Sequence, residues 1–290
     1  MNDMILISDQ FERILIGAKG GDLWLAIEES GYLDLLSAEA DGGAGLSLDD
    51  AFGLGFLLGR RLIDLPVVET MLARGLLGGN ASAGMILLAS PPAGSSPIAD
   101  GPGVLARSDE ALSRLRLPKE AEPLRWLRAV AAGTVALRMA GALQQVLDLT
   151  VDHAQTRRQF GREIGRFQAV QHQIAVMAEE VAATAMSARL AFQGPIGGLT
   201  IERCAVAKMR ACRATDIVVA FAHAIHGAIG VSEEHALQSH SRRLRTWRDL
   251  HGGAGYWERE LGRSVLIQGG SFLDFARGLE PSMDPRSNRS

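Results

Sequence analysis

Histidine and glutamate side chains in the last quarter of the chain could take part in acid–base chemistry. His251 is followed by two glycines, and a histidine titrates close enough to neutral pH to act as a base. The same two glycines are typical of a turn, so a structural or solvent-facing role for His251 competes with a catalytic one. Glu234 follows Ser232 at the predicted start of a helix, where an acidic side chain favours the helix dipole, so a structural role is expected for it.

Cysteine and arginine side chains offer less specific chemistry. Cys204 and Cys212 are the only cysteines. Eight residues apart on one helix they would be separated by about 12 Å, too far for a disulfide. We expect two buried thiols rather than a redox pair or a metal site, and no metal ligand set is predicted elsewhere. One predicted helix is crowded with arginines: Arg242, Arg243, Arg245 and Arg248. They form either a solvated face or a surface that binds an acidic CoA or partner.

The composition is that of an ordinary folded protein. The 290 residues are 47% hydrophobic, and 30 basic and 33 acidic side chains leave a net charge of −3, which argues against disorder and against a nucleic-acid partner. Aromatic residues are sparse while Ala, Leu and Gly abound, and this bias favours helices. The longest charge-free apolar stretch, 217–232, contains two histidines and is short for a membrane span. With no secretory signal visible, a cytoplasmic location is expected.

The elements that would position these residues change in character along the chain. Residues 1–80 read as short helices joined by glycine-rich turns, and a capping pattern with Ser47 and Asp50 opens one of them. Residues 81–122 contain only short elements: strand candidates at 85–88 and 104–106 and a proline-rich loop at 91–97.

From residue 123 onward, apolar residues recur at spacings of three and four, which is the period of a helix. The third predicted helix is capped by Thr200 and the fourth opens at Ser232. Two long helices, a tight link and two more predict an antiparallel four-helix bundle over 123–275, followed by a tail at 276–290.

Three motifs resemble those of the acyl-CoA dehydrogenase family and occur in the same order. The link between the first two bundle helices reads QTRRQFGREIGRFQAVQH at 155–172, similar to the family's R-x-x-F-G-x-x-I-x-x-F-Q-x-V-Q string. EADGGAGLS at 39–47 is similar to its P-E-x-x-G-G-x-G-x-S turn, and HGAIGVSEEH at 226–235 to its G-G-x-G-x-x-x-E segment. The chain is therefore identified as a member of this family over about residues 20–80 and 123–265.

The resemblance implies a fold and a reaction. The fold is an N-terminal helical domain, a middle β-domain and a C-terminal four-helix bundle, so this chain is expected to be mostly α with its middle β region truncated to 81–122. Family enzymes use FAD to desaturate acyl-CoA thioesters: a carboxylate removes the α-proton while the β-hydride passes to the flavin. Because the full middle domain normally walls the flavin, this chain is not expected to build a complete flavin pocket, or to bind FAD, alone.

The family's catalytic carboxylate has no counterpart here. Counting from the G-G-x-G segment places His251 at the position of the usual glutamate, and counting back from Arg157 places Ala131 at an alternative base position. Ala224 stands where the family has a glutamine that touches the FAD adenosine, and Ala228 replaces the second glycine. The catalytic residue is therefore left unknown, with His251 as its candidate.

The motif residues that remain imply an FAD shared with another subunit. In the family, the R-x-x-F motif reaches across a subunit interface, and its arginine pairs with the pyrophosphate of a neighbour's FAD. The resemblance gives five candidate cofactor residues: Arg157, Gln159, Phe160, Phe167 and Gly227. Roles without a ligand stay open, with Arg157 as a helix-capping arginine and the two phenylalanines as core aromatics.

This combination is similar to the short subunit of heterotetrameric acyl-CoA dehydrogenases of bacterial steroid catabolism, which contain two long and two short subunits. There a full-length partner carries the flavin wall and the base, and the short subunit completes the FAD site. The sequence thus predicts a subunit of a heteromeric, FAD-dependent acyl-CoA dehydrogenase acting on an acyl-CoA that it does not identify. A non-enzymatic scaffold or an acyl-CoA-binding relative is the alternative.

Overall fold

A computed structural model of the protein describes residues 2–17, 22–78, 84–88, 103–104 and 122–280. This part of the chain contains ten α-helices: α1 (Asn2–Gly17), α2 (Asp22–Glu29), α3 (Leu48–Arg60), α4 (Val67–Leu77), α5 (Pro123–Thr156), α6 (Gln168–Ala191), α7 (Ile201–His226), α8 (Ala236–Asp249), α9 (Ala254–Gln268) and α10 (Phe272–Gly278). The mostly α fold is confirmed.

Two short strand pairs accompany the helices in the described residues. Strand β1 (Ile86–Leu87) pairs in parallel with β2 (Gly103–Val104), and β3 (Arg158–Gln159) pairs antiparallel with β4 (Arg162–Glu163). The strand candidate at 85–88 is therefore confirmed. The second candidate is described only at its first residue, and the predicted loop at 91–97 lies outside the described residues.

Helix α5 is the axis of the fold because it is apolar on every side. Its residues from Ala129 to Leu143 are all buried, and it packs against α3, α6, α7 and α8. By length and composition alone, α5 and the helical stretch 201–231 are each long and apolar enough to cross a membrane. However, 83% of the most apolar window of α5 is buried inside the protein, as expected for a core helix of a bundle.

The predicted bundle is present, and its fourth helix is broken in two. Helices α5, α6 and α7 pack against one another, α9 packs on α7, and α8 packs on α5. The predicted start of the fourth helix at Ser232 is wrong, because α8 begins at Ala236. A 3-10 helix precedes it, and the His235 Nδ1 atom accepts the Leu237 N–H at 3.1 Å as the helix cap. Glu234 therefore lies in a turn outside the helix.

Local predictions about caps and cysteines are confirmed. The Asp50 carboxylate accepts the backbone N–H of Ser47 at 3.0 Å, and the Thr200 side chain caps α7. Cys204 and Cys212 are both free and buried. Burial raises the pKa of the Cys204 thiol to about 12, so it is a poor nucleophile.

Two glycines let the N-terminal helices join the bundle by direct backbone contact. A Cβ atom at Gly59 would lie 1.9 Å from the carbonyl oxygen of Arg138, and one at Gly141 would lie 1.9 Å from that of Phe56. Helices α3 and α5 therefore cross at a distance that only glycine allows. This crossing places the loop between α3 and α4 directly over the middle of α5.

Candidate functional site

A tight hairpin carries the residues predicted to bind the cofactor. Strands β3 and β4 pair Gln159 with Arg162, which leaves Phe160 and Gly161 as a two-residue turn with positive φ angles of 51° and 78°. Positive φ at both positions is typical of hairpin turns, but it is strained for a bulky residue such as Phe160. The Phe160 ring is 91% exposed, so its assignment as a core aromatic is wrong. The hairpin presents this ring on its outside.

Phe167, which follows the hairpin in sequence, packs against it. Its half-buried ring meets Phe160 edge-to-face at 6.1 Å between centroids, and the Arg162 guanidinium lies 4.2 Å from its centroid. Gln159 is exposed on β3. The structure therefore brings Gln159, Phe160 and Phe167 together, and Phe167 packs against the hairpin that carries the other two.

Arg157 ends α5 through its backbone and leaves its side chain exposed. Its N–H donates to the His153 carbonyl and its carbonyl accepts the Ile164 N–H, both at 2.9 Å. Within the described part of the chain, no carboxylate forms an ion pair with its guanidinium, whereas Arg158 next to it is paired with Glu163 at 2.9 Å. A free, exposed guanidinium suits the pyrophosphate of FAD, because its planar fork pairs two phosphate oxygens.

Gly227 ends α7 directly beside a group of histidines that the motif analysis missed. Its φ of 63° and ψ of −143° are readily adopted only by glycine. The His226 ring stacks on His153 at 4.3 Å between centroids and meets His235 edge-on at 5.0 Å. The signal in the sequence was that two of the three histidines stand inside the recognised segment 226–235, but nothing in the sequence places His153 against them.

His251 lies in the break between α8 and α9, and its surroundings oppose a role as base. It is only 5% exposed, so the solvent-facing assignment is wrong, and its φ is 59°. Burial, followed by the positive charges of Lys208, Arg138 and Arg128, lowers the pKa of His251 to about 3. An imidazole with such a pKa is neutral at pH 7 and is a far weaker base than an ordinary histidine.

Lys208 makes this part of the interior cationic. Its side chain is completely buried on α7, its ammonium donates to the Trp247 carbonyl, and it lies 3.7 Å from the Met139 sulfur. Burial lowers the pKa of Lys208 to about 8. Ala131, the alternative base position, is buried on α5 and offers no carboxylate.

A partly buried ion cluster next to these cations ties the N-terminal helices to the bundle. Asp64 accepts the guanidinium of Arg138 at 3.1 Å, the indole N–H of Trp247 at 3.1 Å and the guanidinium of Arg243. The second guanidinium nitrogen of Arg138 lies 3.8 Å from the buried carboxylate of Glu69. Burial raises the pKa of this glutamate.

The arginine-rich helix α8 mainly forms ion pairs within the chain. Arg242 is paired with Glu233, Arg243 with Asp64 and Arg248 with Asp216.

The described residues contain no group of three or more potential metal ligands.

A groove of about 480 Å³ lies between the start of α5 and α9. Arg125 and Arg263 each bind one oxygen of Glu260, at 2.8 and 3.0 Å. Arg128 stacks 4.2 Å over the Tyr256 ring and donates to the His251 carbonyl at 3.4 Å. Three arginines and two carboxylates, Glu122 and Glu260, line the groove and leave it with one net positive charge.

Residues 128–266 match the family described as acyl-CoA dehydrogenase, C-terminal domain. The acyl-CoA dehydrogenase IpdE2 of Mycolicibacterium smegmatis is 31% identical over 266 residues, which cover 80% of this chain and 84% of the relative. IpdE2 of Mycobacterium tuberculosis is 29% identical over 257 residues, covering 76% and 79% of the two chains.

Solved structures share the fold. A variant of the Tcur3481–Tcur3483 steroid acyl-CoA dehydrogenase aligns with a TM-score of 0.74 at 21% identity, and the ChsE4–ChsE5 complex of Mycobacterium tuberculosis with 0.73 at 17%. Each alignment covers 93% of this chain and 99% of the other. IpdE2 of Mycolicibacterium smegmatis is 31% identical over most of both chains, and the solved structures and the R-x-x-F hairpin agree with this likeness. The chain therefore belongs to the acyl-CoA dehydrogenase family.

Proposed function

We propose that this chain is the short subunit of a heteromeric, FAD-dependent acyl-CoA dehydrogenase and that it completes the FAD site of a full-length partner. The observation that supports this proposal is the exposed end of α5: the Arg157 guanidinium has no ion-pair partner among the described residues, and the Phe160 ring on the hairpin that follows is 91% exposed. Exposed aromatic and arginine side chains are the typical anchors of interfaces. The structurally similar Tcur3481–Tcur3483 and ChsE4–ChsE5 proteins are each named as a pair, which supports a partner of the same family.

Within this proposal the chain binds and orients the cofactor. Bound FAD would supply the acceptor for the hydride from the β-carbon of the acyl-CoA. Arg157 would pair with its pyrophosphate, Phe160 would cover the bound nucleotide, and Gly227 would allow the backbone to approach closely. The proton leaves to a carboxylate of the partner, because neither His251 nor Ala131 supplies one.

Exposed apolar side chains are consistent with a permanent partner. Ile229 and Val231 are exposed just beyond Gly227, and a second exposed group lies on α9 and α10: Leu266, Ile267, Phe272 and Leu273. Exposed apolar side chains that are grouped along the chain in this way are expected at interfaces. We extend the proposal to a cytoplasmic enzyme with two long and two short subunits. We also propose a steroid-derived acyl-CoA as its substrate, since the structurally similar Tcur3481–Tcur3483 protein is a steroid acyl-CoA dehydrogenase.

The proposal predicts that the chain does not retain FAD stoichiometrically on its own. Purified alone, it should be colourless at 450 nm and should self-associate at micromolar concentration in sedimentation velocity. Co-expressed with a full-length acyl-CoA dehydrogenase subunit, it should give a yellow complex that oxidises acyl-CoA with an artificial electron acceptor. One FAD per monomer in a solitary, monodisperse chain would contradict the proposal.

Replacing His251 by alanine should leave turnover of the complex within a few-fold of wild type. Removal of a true general base costs 10²–10⁴ in rate, whereas this imidazole is buried and surrounded by cations. Because His251 has a positive φ, His251→Asn provides a second variant that tolerates the backbone conformation. Loss of turnover in both variants, with FAD still bound, would show that this chain carries the base.

A second candidate function, acyl-CoA binding without catalysis, is supported by the arginine-lined groove. Arg125, Arg128 and Arg263 offer guanidinium groups to phosphates, and the groove passes beside the His251 loop. A complex that binds CoA in calorimetry but never acquires FAD would favour this function over the first.

A further inference from the structure

Three imidazole rings contact one another close to two of the candidate cofactor residues, Arg157 and Gly227. His153 lies one helical turn before Arg157, His226 directly precedes Gly227, and His235 caps α8. We propose that this histidine joint (His153, His226 and His235) positions Arg157 and Gly227 for the cofactor only while its rings are uncharged, so that acid releases the cofactor. The inference rests on the proposed function and adds a set of positioning residues to it.

In two of the rings, the nitrogen that an added proton would occupy is poorly placed to carry it. The His226 Nδ1 atom donates to the Ala222 carbonyl at 2.8 Å, so its Nε2 atom carries a lone pair in the neutral ring. That Nε2 atom is buried and has no hydrogen-bond partner in the described part of the chain. A proton added there would be a buried charge with nothing to accept its hydrogen bond. In His235 the Nδ1 atom already accepts the Leu237 N–H, so a proton at Nδ1 would remove the cap of α8.

Within the described part of the chain, the side chains whose charge shifts the pKa values of these histidines are all basic. Burial lowers the pKa of His153, followed by the charges of His235 and Arg157. Burial is also the largest cause that lowers the pKa of His226, and His153, His235 and His223 lower it further against the opposing bond to Ala222. His223 in turn faces Arg245, which lowers its pKa after burial.

The direction of the pH effect follows from these lowered pKa values. A histidine that is harder to protonate in the assembled joint than in open chain stabilises the joint fully above its ordinary pKa near 6.5. That stabilisation is lost as the pH falls below this value, because the open form takes up the proton more readily. Movement of His153 is transmitted to Arg157, whose N–H is bonded to the His153 carbonyl at 2.9 Å.

An opposite effect is the competing explanation. A protonated joint beside Arg157 would attract the pyrophosphate, and the cofactor would then bind more tightly in acid. The two explanations predict opposite results for a permanent positive charge at position 153, so one substitution separates them.

The test measures FAD release from the co-purified complex on dilution, by flavin fluorescence, at pH 7.5 and 5.5. Wild type should release FAD about tenfold more readily at pH 5.5, since release that takes up one proton changes affinity tenfold per pH unit while the imidazole titrates. His153→Phe keeps an aromatic ring in the stack without a titrating group and should reduce the ratio between the two pH values to about twofold. The matched control, His172→Phe, changes an exposed histidine on α6 and should keep the wild-type ratio.

His153→Lys should release FAD at pH 7.5 as readily as wild type does at pH 5.5. Each variant is checked for co-purification and circular dichroism first, with His153→Gln replacing the phenylalanine variant if that one does not assemble. Tighter binding in His153→Lys, or a full wild-type pH ratio in the non-titrating variant, would overturn the inference. If Arg157→Ala weakens FAD binding while these variants behave as wild type, the inference fails and the proposed function stands; if Arg157→Ala has no effect, the proposed function itself fails.

Discussion

Replacing Arg157 by alanine should weaken FAD retention by the assembled enzyme about ten- to a hundredfold. Loss of a charge-assisted hydrogen bond to a phosphate group costs about 1.5–3 kcal/mol, and 1.4 kcal/mol corresponds to a factor of ten. The folded chain itself should be unaffected, because the Arg157 backbone, not its side chain, ends α5, and the guanidinium is exposed. The measurement is FAD release on dilution of the co-purified complex.

Two further variants test whether the effect depends on the position of Arg157 and on the planar shape of its guanidinium rather than on its charge alone. Arg158→Ala removes a neighbouring exposed arginine that is paired with Glu163, and it should release FAD as wild type does. Arg157→Lys keeps the charge without the planar fork, so it should fall between wild type and alanine. Equal FAD retention in Arg157→Ala and Arg158→Ala would remove Arg157 from the cofactor site.

The helical architecture could be predicted from the sequence because each part of it has a local signal. The three- and four-residue period after residue 123, the Thr200 cap and the Ser47 capping box all depend on near neighbours, and all are present. The start of the fourth helix could not be predicted in this way. His235 takes the cap position through a ring nitrogen, which competes with the more usual signal at Ser232.

The candidate site could be predicted only in part, because its geometry depends on distant segments. The motif gives Arg157, Phe160 and Gly227, but it does not show that Phe160 is exposed on a strained turn. Counting along the motif places His251 at the base position, yet the low pKa of this histidine comes from burial and from cations on two other helices. Contacts between such distant segments leave no periodic pattern in the sequence.

The ion cluster between the two helical regions leads to the largest stability prediction. Arg138→Met should lower the free energy of unfolding by about 3–5 kcal/mol, because removing one partner of a buried pair leaves an uncompensated charge. Here the carboxylate of Glu69 is 4% exposed and loses its nearest cation, while Asp64 retains Arg243 and Trp247. Methionine keeps most of the arginine's apolar volume, so packing contributes less to the loss. Urea unfolding of the co-purified complex followed by circular dichroism measures the change.

The charge of Glu69 determines how this loss changes with pH and with a second substitution. Burial raises the pKa of Glu69, so the folded variant takes up a proton more readily than the unfolded chain, and its deficit should shrink as pH falls from neutral toward 4.5. Arg138→Met combined with Glu69→Gln should recover part of the loss at neutral pH, because position 69 then carries no buried carboxylate without its cation. Arg213→Met breaks only an exposed pair with Glu258 and should change stability by less than about 1 kcal/mol. A deficit that is independent of pH and unchanged by Glu69→Gln would mean that Arg138 stabilises the fold through packing and Asp64 alone.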